Sequence, residues 1–400
     1  MTSLMEGTRN SLQETEGWVK DMMNRKGNIR DFWLMYKAKI LPNDLVYDSQ
    51  VKAYSNKIVK EWYETSLKPN AGESGLMTAK EATERWYCFF ETYETRLAYK
   101  NWDLCFHSSQ ECLDKWLYIF DTMTPANILK TYGEKTVRDA YNVITCAWDD
   151  WFVKKKYKRC FHVENDPEEC LKNFKEHRLI FTQEQSPFKL QNIRDKIAVI
   201  MNPNIEPIMN VAPEDEEKLT GADFDKVINF KFVENDTPYA MEMKKYYKDL
   251  VLESCEFCGG KDLPIREALA SYFIYIDVTR VKTAIKHWDM VYHPSDELVQ
   301  KWVEIFTKQS PGEIAEYGFR TVRDGYIVVN TALDDWVCRK KYEVCKSNDI
   351  NECCTALKAL VIRQEDLPID IDKIAEKVMA ITKYENKPGP KREKAVSDLK

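Results

Sequence analysis

Adjacent aspartates at Asp149 and Asp150 return at Asp334 and Asp335, and eleven residues upstream of each pair stands an Arg-Asp dipeptide, Arg138-Asp139 and Arg323-Asp324. Carboxylates clustered on a helix are the usual ligands for a divalent ion, or for a diphosphate held through one. Three features of the spacing weigh against that chemistry. A DDxxD pattern lacks its third aspartate, because Val153 and Cys338 stand there. Neighbouring helical residues do not face the same way. Asp139 and Asp150 sit about 16 Å apart along a helix axis, too far to share an ion whose oxygen ligands lie within about 2.6 Å of it. The stronger reading makes these charges partners in salt bridges between helices, with Asp150-Lys154 and Asp335-Arg339 as i,i+4 pairs on their own helix.

Other reactive types recur with them. Asp103 and His107, then Asp289 and His293, are four apart, which on a continuous helix sets each histidine one turn from an aspartate. A metal would need further ligands, so the expectation is a histidine held by its aspartate near a helix C-terminus. Cys255 and Cys258 form a CxxC before two glycines. A zinc site needs four ligands and there is no second CxxC, so these two are weak metal candidates and read as ordinary thiols. Cys160 with Cys170, and Cys345 with Cys353, recur across a short helix-to-helix turn and are the disulfide candidates. Lys155, Lys156 and Tyr157, matched by Lys340, Lys341 and Tyr342, place basic and aromatic groups at a helix end. They complement the helix dipole, and are also the candidates for contact with a partner or with nucleic-acid phosphate. There is no G-x-S-x-G, P-loop or G-x-G-x-x-G, so no catalytic residue and no cofactor is assigned.

Most of these residues lie in one stretch that occurs twice. Residues 136–160, TVRDAYNVITCAWDDWFVKKKYKRC, are matched by 321–345, TVRDGYIVVNTALDDWVCRKKYEVC, with fourteen of 25 positions identical. The match extends in both directions. An offset of 186 from Glu81 to Pro125 pairs Trp102 with Trp288, His107 with His293, Trp116 with Trp302 and Phe120 with Phe306. The offset is 185 through the repeated stretch and 183 where Cys170 meets Cys353, the changes falling in expected loops. The sequence thus predicts an internal tandem duplication: a first unit over 1–204, a second over 205–385, and a polar, basic, disordered tail over 386–400. The Pro- and Asn-rich MNPNIEPIMNVAPEDEE marks the boundary.

Few glycines (13), abundant helix formers and 49 aromatic residues predict an all-α fold of about seven to nine helices per unit around an aromatic-rich core. On a helical wheel of the repeated stretch, Val137, Ala140, Tyr141, Ile144, Ala147, Trp148, Trp151 and Phe152 form a broad core face. The best-kept positions, Tyr141, Trp151, Tyr157 and the four flanking charges, make this stretch the spine of each unit, with Arg138, Asp149, Asp150, Trp151, Arg323, Asp334, Asp335 and Trp336 as structural residues. Helices are expected over 11–27, 28–40 and 49–68, then from about Thr78 to Phe106. Ser108 or Ser109 caps the next. Thr124-Pro125 opens a short helix closed by Tyr132-Gly133. Ser310 and Glu313 should form a capping box. Further helices are expected over 167–177 and 191–201.

A net charge of -6, from 59 basic and 65 acidic residues, gives no general pull toward nucleic acid or anionic membrane. A mean hydropathy of -0.54 and no long apolar run predict no membrane span. The first residues lack a signal-peptide pattern, so an intracellular, cytoplasmic location is expected. Taken together, these features favour a non-enzymatic interaction or structural protein that binds a protein partner or itself. The alternatives are a helical carrier of an apolar small molecule, a nucleic-acid-packaging protein and a metal-dependent enzyme.

Overall fold

A computed structural model describes residues 23–160, 187–201, 218–223, 237–257 and 259–383. The fold is mostly helical: among the described residues there are thirteen α-helices and one small ribbon. The expected helices over 11–27 and 167–177 lie mainly or wholly outside the described residues. The ribbon, missed by periodicity, pairs β1 (Lys26–Asn28) antiparallel to β2 (Leu76–Thr78), Gly27 opposite Met77. Each strand is three residues long, too short for a period-2 pattern to register.

β1 leads into α1 (Ile29–Tyr36), whose first turn is capped by Asn28. The helix stops at Tyr36, not Ile40, leaving Ile40, Leu41 and Leu45 exposed. α2 (Val46–Trp62) ends in a π-helical turn, Tyr63–Leu67. α3 (Ala79–Lys100) begins with a capping box between Thr78 and Glu81. It gives way to a separate 3-10 turn, Trp102–Leu104, where a continuous helix to Phe106 was expected.

Ser109 caps α4 (Gln110–Thr122). α5 (Pro125–Cys160) is broken at Gly133, whose φ of 75° and ψ of 161° separate the short expected helix from the long one. α6 is Leu190–Met201, α7 Pro238–Phe257 and α8 Ile265–Lys286. After the 3-10 turn Trp288–Met290 come α9 (Asp296–Lys308) and α10 (Pro311–Ala315), whose Ser310 and Glu313 form the predicted capping box. α11 (Phe319–Val344), α12 (Ile350–Ala359) and α13 (Ile371–Lys383) complete the described chain.

The core is aromatic-rich and crosses the chain. One cluster joins Trp62, Trp86 and Phe90 of α2 and α3 to Trp302, Phe306 and Phe319 of α9 and α11. Trp62 and Trp86 meet edge to face at 5.1 Å, the geometry favoured by the ring quadrupole. A second cluster sets Trp116, Phe120, Ile144 and Ile200 of α4 to α6 against Met243 of α7. Early helices therefore share a core with the latest ones, and the middle of the chain forms the other.

The long part of α5 buries Val137, Ala140 and Ile144 as the wheel predicts, and buries Val143, Cys146 and Val153 too. Tyr141, Ala147, Trp148, Trp151 and Phe152 are only half-buried. α5 is thus packed on two sides over its first half and emerges toward its C-terminal end.

Candidate functional site

The charges singled out by the sequence meet between α5 and α11, and they bond reciprocally. Arg138 Nη2 donates to Asp334 Oδ2 at 2.8 Å, and Arg323 Nη2 to Asp149 Oδ2 at 2.5 Å. Lys135, which the sequence reading passed over, donates to Asp139 at 2.7 Å and to Asp335 at 2.8 Å. Its counterpart Arg320 contacts Asp150 and stands 3.9 Å from Asp324. Each of these four basic side chains thereby reaches an aspartate of the facing helix.

The histidines join the same belt. His107 Nδ1 bonds Asp150 Oδ2 at 2.7 Å, and its Nε2 bonds the Trp102 carbonyl at 2.8 Å. His293 repeats this with Asp335 and Trp288, both at 2.7 Å. These bonds correct the expectation that Asp103 and Asp289 hold the histidines. The 3-10 turn and the extended residue after it break the helix that would have set positions 103 and 107 one turn apart. The local pairs Asp150-Lys154 and Asp335-Arg339 are likewise replaced. Lys154 lies 5.0 Å from the Trp102 ring and Arg339 4.9 Å from that of Trp288, while the aspartates are used by the belt.

Burial and the charged partners compete over the protonation preferences. Burial pulls the His107 pKa down, but the Asp150 hydrogen bond and charge, with the Trp102 carbonyl, raise it above the ordinary histidine value. Lys135 also ends up raised, its burial outweighed by Asp139 and Asp335. Its two partners move in opposite directions. Burial raises Asp139 beyond what Lys135 alone offsets, whereas Asp335, held by both His293 and Lys135, falls below its ordinary value despite burial. Asp324 is fully buried and raised chiefly by that burial. Its Oδ2 has no hydrogen-bond partner, nor do Nε and Nη1 of Arg320, so the arginine half is less well satisfied than the lysine half.

Such an arrangement ties α5 to α11. Both histidine nitrogens are engaged, and each carboxylate of the belt faces a cation. Among the described residues no three His, Cys, Asp or Glu side chains gather in a way that would hold a metal ion. Cys255 is buried, and Cys258 lies outside the described residues. Cys345 and Cys353 are buried free thiols; Cys353 Sγ donates to the carbonyls of Cys345 at 3.3 Å and Ser347 at 3.1 Å. Cys170 and the side chain of Cys160 are outside the described set.

The basic end groups divide. Lys156 is held by Glu91, and Lys341 by Asp277 at 2.5 Å, so both tie a long helix to α3 or α8. Lys155 and Lys340 lie 5.9 Å from the rings of Trp151 and Trp336, and Lys340 also meets Glu343 at 3.3 Å. Tyr157 stacks on Tyr99 with centroids 3.6 Å apart, and Tyr342 packs beside Val281 and Cys338.

Two further sets of contacts escaped the sequence reading. Trp116 Nε1 donates to the Met290 carbonyl at 2.6 Å, and Trp302 Nε1 to that of Leu104 at 2.8 Å. Lys196 donates to the carbonyls of Phe120 and Met123, and Lys377 to those of Phe306 and Gln309, so each buried ammonium closes the C-terminal end of a helix. The recurrence of Trp116 as Trp302 was visible in the sequence, but the carbonyl each seeks is not.

Two clefts flank Arg280 and Glu134, which pair with each other. One, of about 240 Å³, lies between α5, α8 and α11 and is lined by paired charges such as Lys135, Arg138 and Asp334. The other, of about 290 Å³, lies between the first part of α5, α7 and α8, and is bordered by Tyr246, Tyr247 and Tyr275. Among the described residues no helix is long and apolar enough to cross a membrane. Comparison of the chain with protein families, curated proteins and solved structures finds no match.

Proposed function

We propose that the chain is a non-enzymatic interaction or structural protein, a tandemly duplicated helical unit whose two copies lock together and present related surfaces to a protein partner or to a second copy of itself. The supporting observation is reciprocity. Arg138-Asp334 mirrors Arg323-Asp149, and Trp116-Met290 mirrors Trp302-Leu104. In an assembly of two equivalent units about a two-fold axis, residue i of one meets j of the other and j meets i. The residues most alike in the two copies are used up in holding the copies to each other.

On this reading the units over 1–204 and 205–385 exchange halves, since the two largest core clusters each draw helices from both. Function then lies on the outside, where Tyr118, Phe273 and Val361 are exposed. The test is native mass spectrometry of the full chain from its own source, with analytical ultracentrifugation from 1 to 50 µM, concentrations set by the usual range of specific association. A discrete self-assembly or a stoichiometric protein complex is expected. A monomer carrying a stoichiometric metal ion and no protein partner would overturn the proposal.

A further inference from the structure

The 290 Å³ cleft exists because three aromatic residues that close the corresponding crevice elsewhere in the chain are replaced there. At the corresponding junction, Gly318 (φ 90°) packs against Leu97 just as Gly133 (φ 75°) packs against Thr283. Around Gly318 the space is closed. Phe90 and Phe319 are buried with ring centroids 5.9 Å apart, and the Tyr93 hydroxyl meets that of Tyr54 at 3.3 Å. The matched positions around Gly133 hold Ile276, Thr279 and Glu134, and all three line the cleft. A branched aliphatic, a small hydroxyl and a carboxylate leave the volume that two phenylalanines and a tyrosine take up.

What lines this space has a definite chemistry. Tyr246, Tyr247 and Tyr275 are among the lining residues, and the negative quadrupole of an aromatic ring attracts cations. Asp249 and Glu253, one helical turn apart on α7, stand at the rim. Glu134 and Arg280 neutralise each other, and Lys130 balances one of the two rim carboxylates. The cleft therefore carries an excess of one negative charge beside three tyrosines, with Leu129, Leu250 and Ile276 as apolar wall.

We propose that this cleft is a binding site for a small organic cation, a singly charged ammonium with an aromatic or branched apolar body. Its volume, at the lower end for small-molecule sites, suits a ligand of roughly ten to fifteen non-hydrogen atoms. The proposal goes beyond the interaction role and does not rest on it.

The probe is benzyltrimethylammonium, compared with benzoate and benzyl alcohol at matched ionic strength, by isothermal titration calorimetry on the full chain. Saturable 1:1 binding of the cation is expected, with a dissociation constant of about 1 mM or below, and at least tenfold weaker binding of benzoate. Writing in the residues of the closed crevice, Ile276→Phe with Thr279→Tyr, should weaken the cation at least tenfold while the circular dichroism spectrum is kept. Asp249→Asn with Glu253→Gln, at exposed positions that leave the core intact, should weaken the cation and leave benzyl alcohol unchanged. The proposal is overturned by absence of saturable binding, by benzoate binding as well as the cation, or by either double variant binding the cation as the parent does. Should the filled variant lose its helical signal, the rim variant decides.

Discussion

Replacing Lys135 by methionine tests the belt where its energetics are most one-sided. The lysine side chain is 13% exposed and sits between Asp139, 4% exposed, and Asp335, 11% exposed. Asp335 keeps His293 when the ammonium is removed. Asp139 loses its hydrogen-bonded ammonium and retains only the charge of Arg138, and a buried carboxylate left by removal of its partner costs about 3–5 kcal/mol. At roughly 2–4 °C of melting temperature per kcal/mol for a large domain, Lys135→Met should melt about 6–20 °C below the parent by differential scanning calorimetry. Adding Asp139→Asn removes the orphaned charge, so Lys135→Met with Asp139→Asn should recover more than half of the loss. Acidification should act in the same direction. The folded pKa of Asp139 already lies above its ordinary value because of burial, and a raised folded pKa means that the folded state gains stability as pH falls through it. A loss below about 2 °C, or a double variant no better than the single one, would refute the reasoning that the belt exists to neutralise buried carboxylates.

Three further outcomes follow from the same geometry. His107 has a folded pKa raised above 6.5, so its stabilising contact is fully present below the unfolded value and is lost as pH rises through the folded one; the stability gap between the parent and His107→Gln in urea titrations should narrow over that window. Gly325→Ala places a methyl 2.4 Å from the Trp302 ring inside a closed core, and urea unfolding should report a loss of about 1–3 kcal/mol. Trp302→Phe strips the half-buried Leu104 carbonyl of its indole donor, Trp116→Phe leaves the half-buried Met290 carbonyl only the weak Cys112 thiol donor at 3.3 Å, and each leaves a void. Each should cost about 2–4 kcal/mol by the same measurement, the two values agreeing within a factor of two.

Much of the helical layout was legible in the residues because its signals are local. Ser109 before α4 and Ser310 with Glu313 at α10 act within one turn, and the break at Gly133 follows from a positive φ that glycine adopts without strain. Partner choice was less legible. The eye pairs His107 with Asp103 because four residues separate them, yet one 3-10 turn redirects the ring to Asp150, 43 residues on. Asp150 and Asp335 were matched with basic residues of their own helix, and the cations they meet come from the other end of the chain. Periodicity tells which face of a helix is apolar, not what will cover it. For the same reason the cleft beside Gly133 was invisible until Thr279 and Tyr93 had been set in equivalent places.

The core shared by the first and last helices carries a consequence for synthesis. Phe90 of α3 packs on Phe319, and Trp86 shares its cluster with Trp302, residues that leave the ribosome more than 200 residues later. At about 5–20 residues per second that is a wait of roughly 10–40 s. Throughout it the aromatic face of α2 and α3 has been made and its cover has not. A nascent chain paused near residue 250 should therefore bind chaperones that recognise exposed aromatic surface, and a chain truncated there should stay bound, whereas the completed chain hides that face within itself.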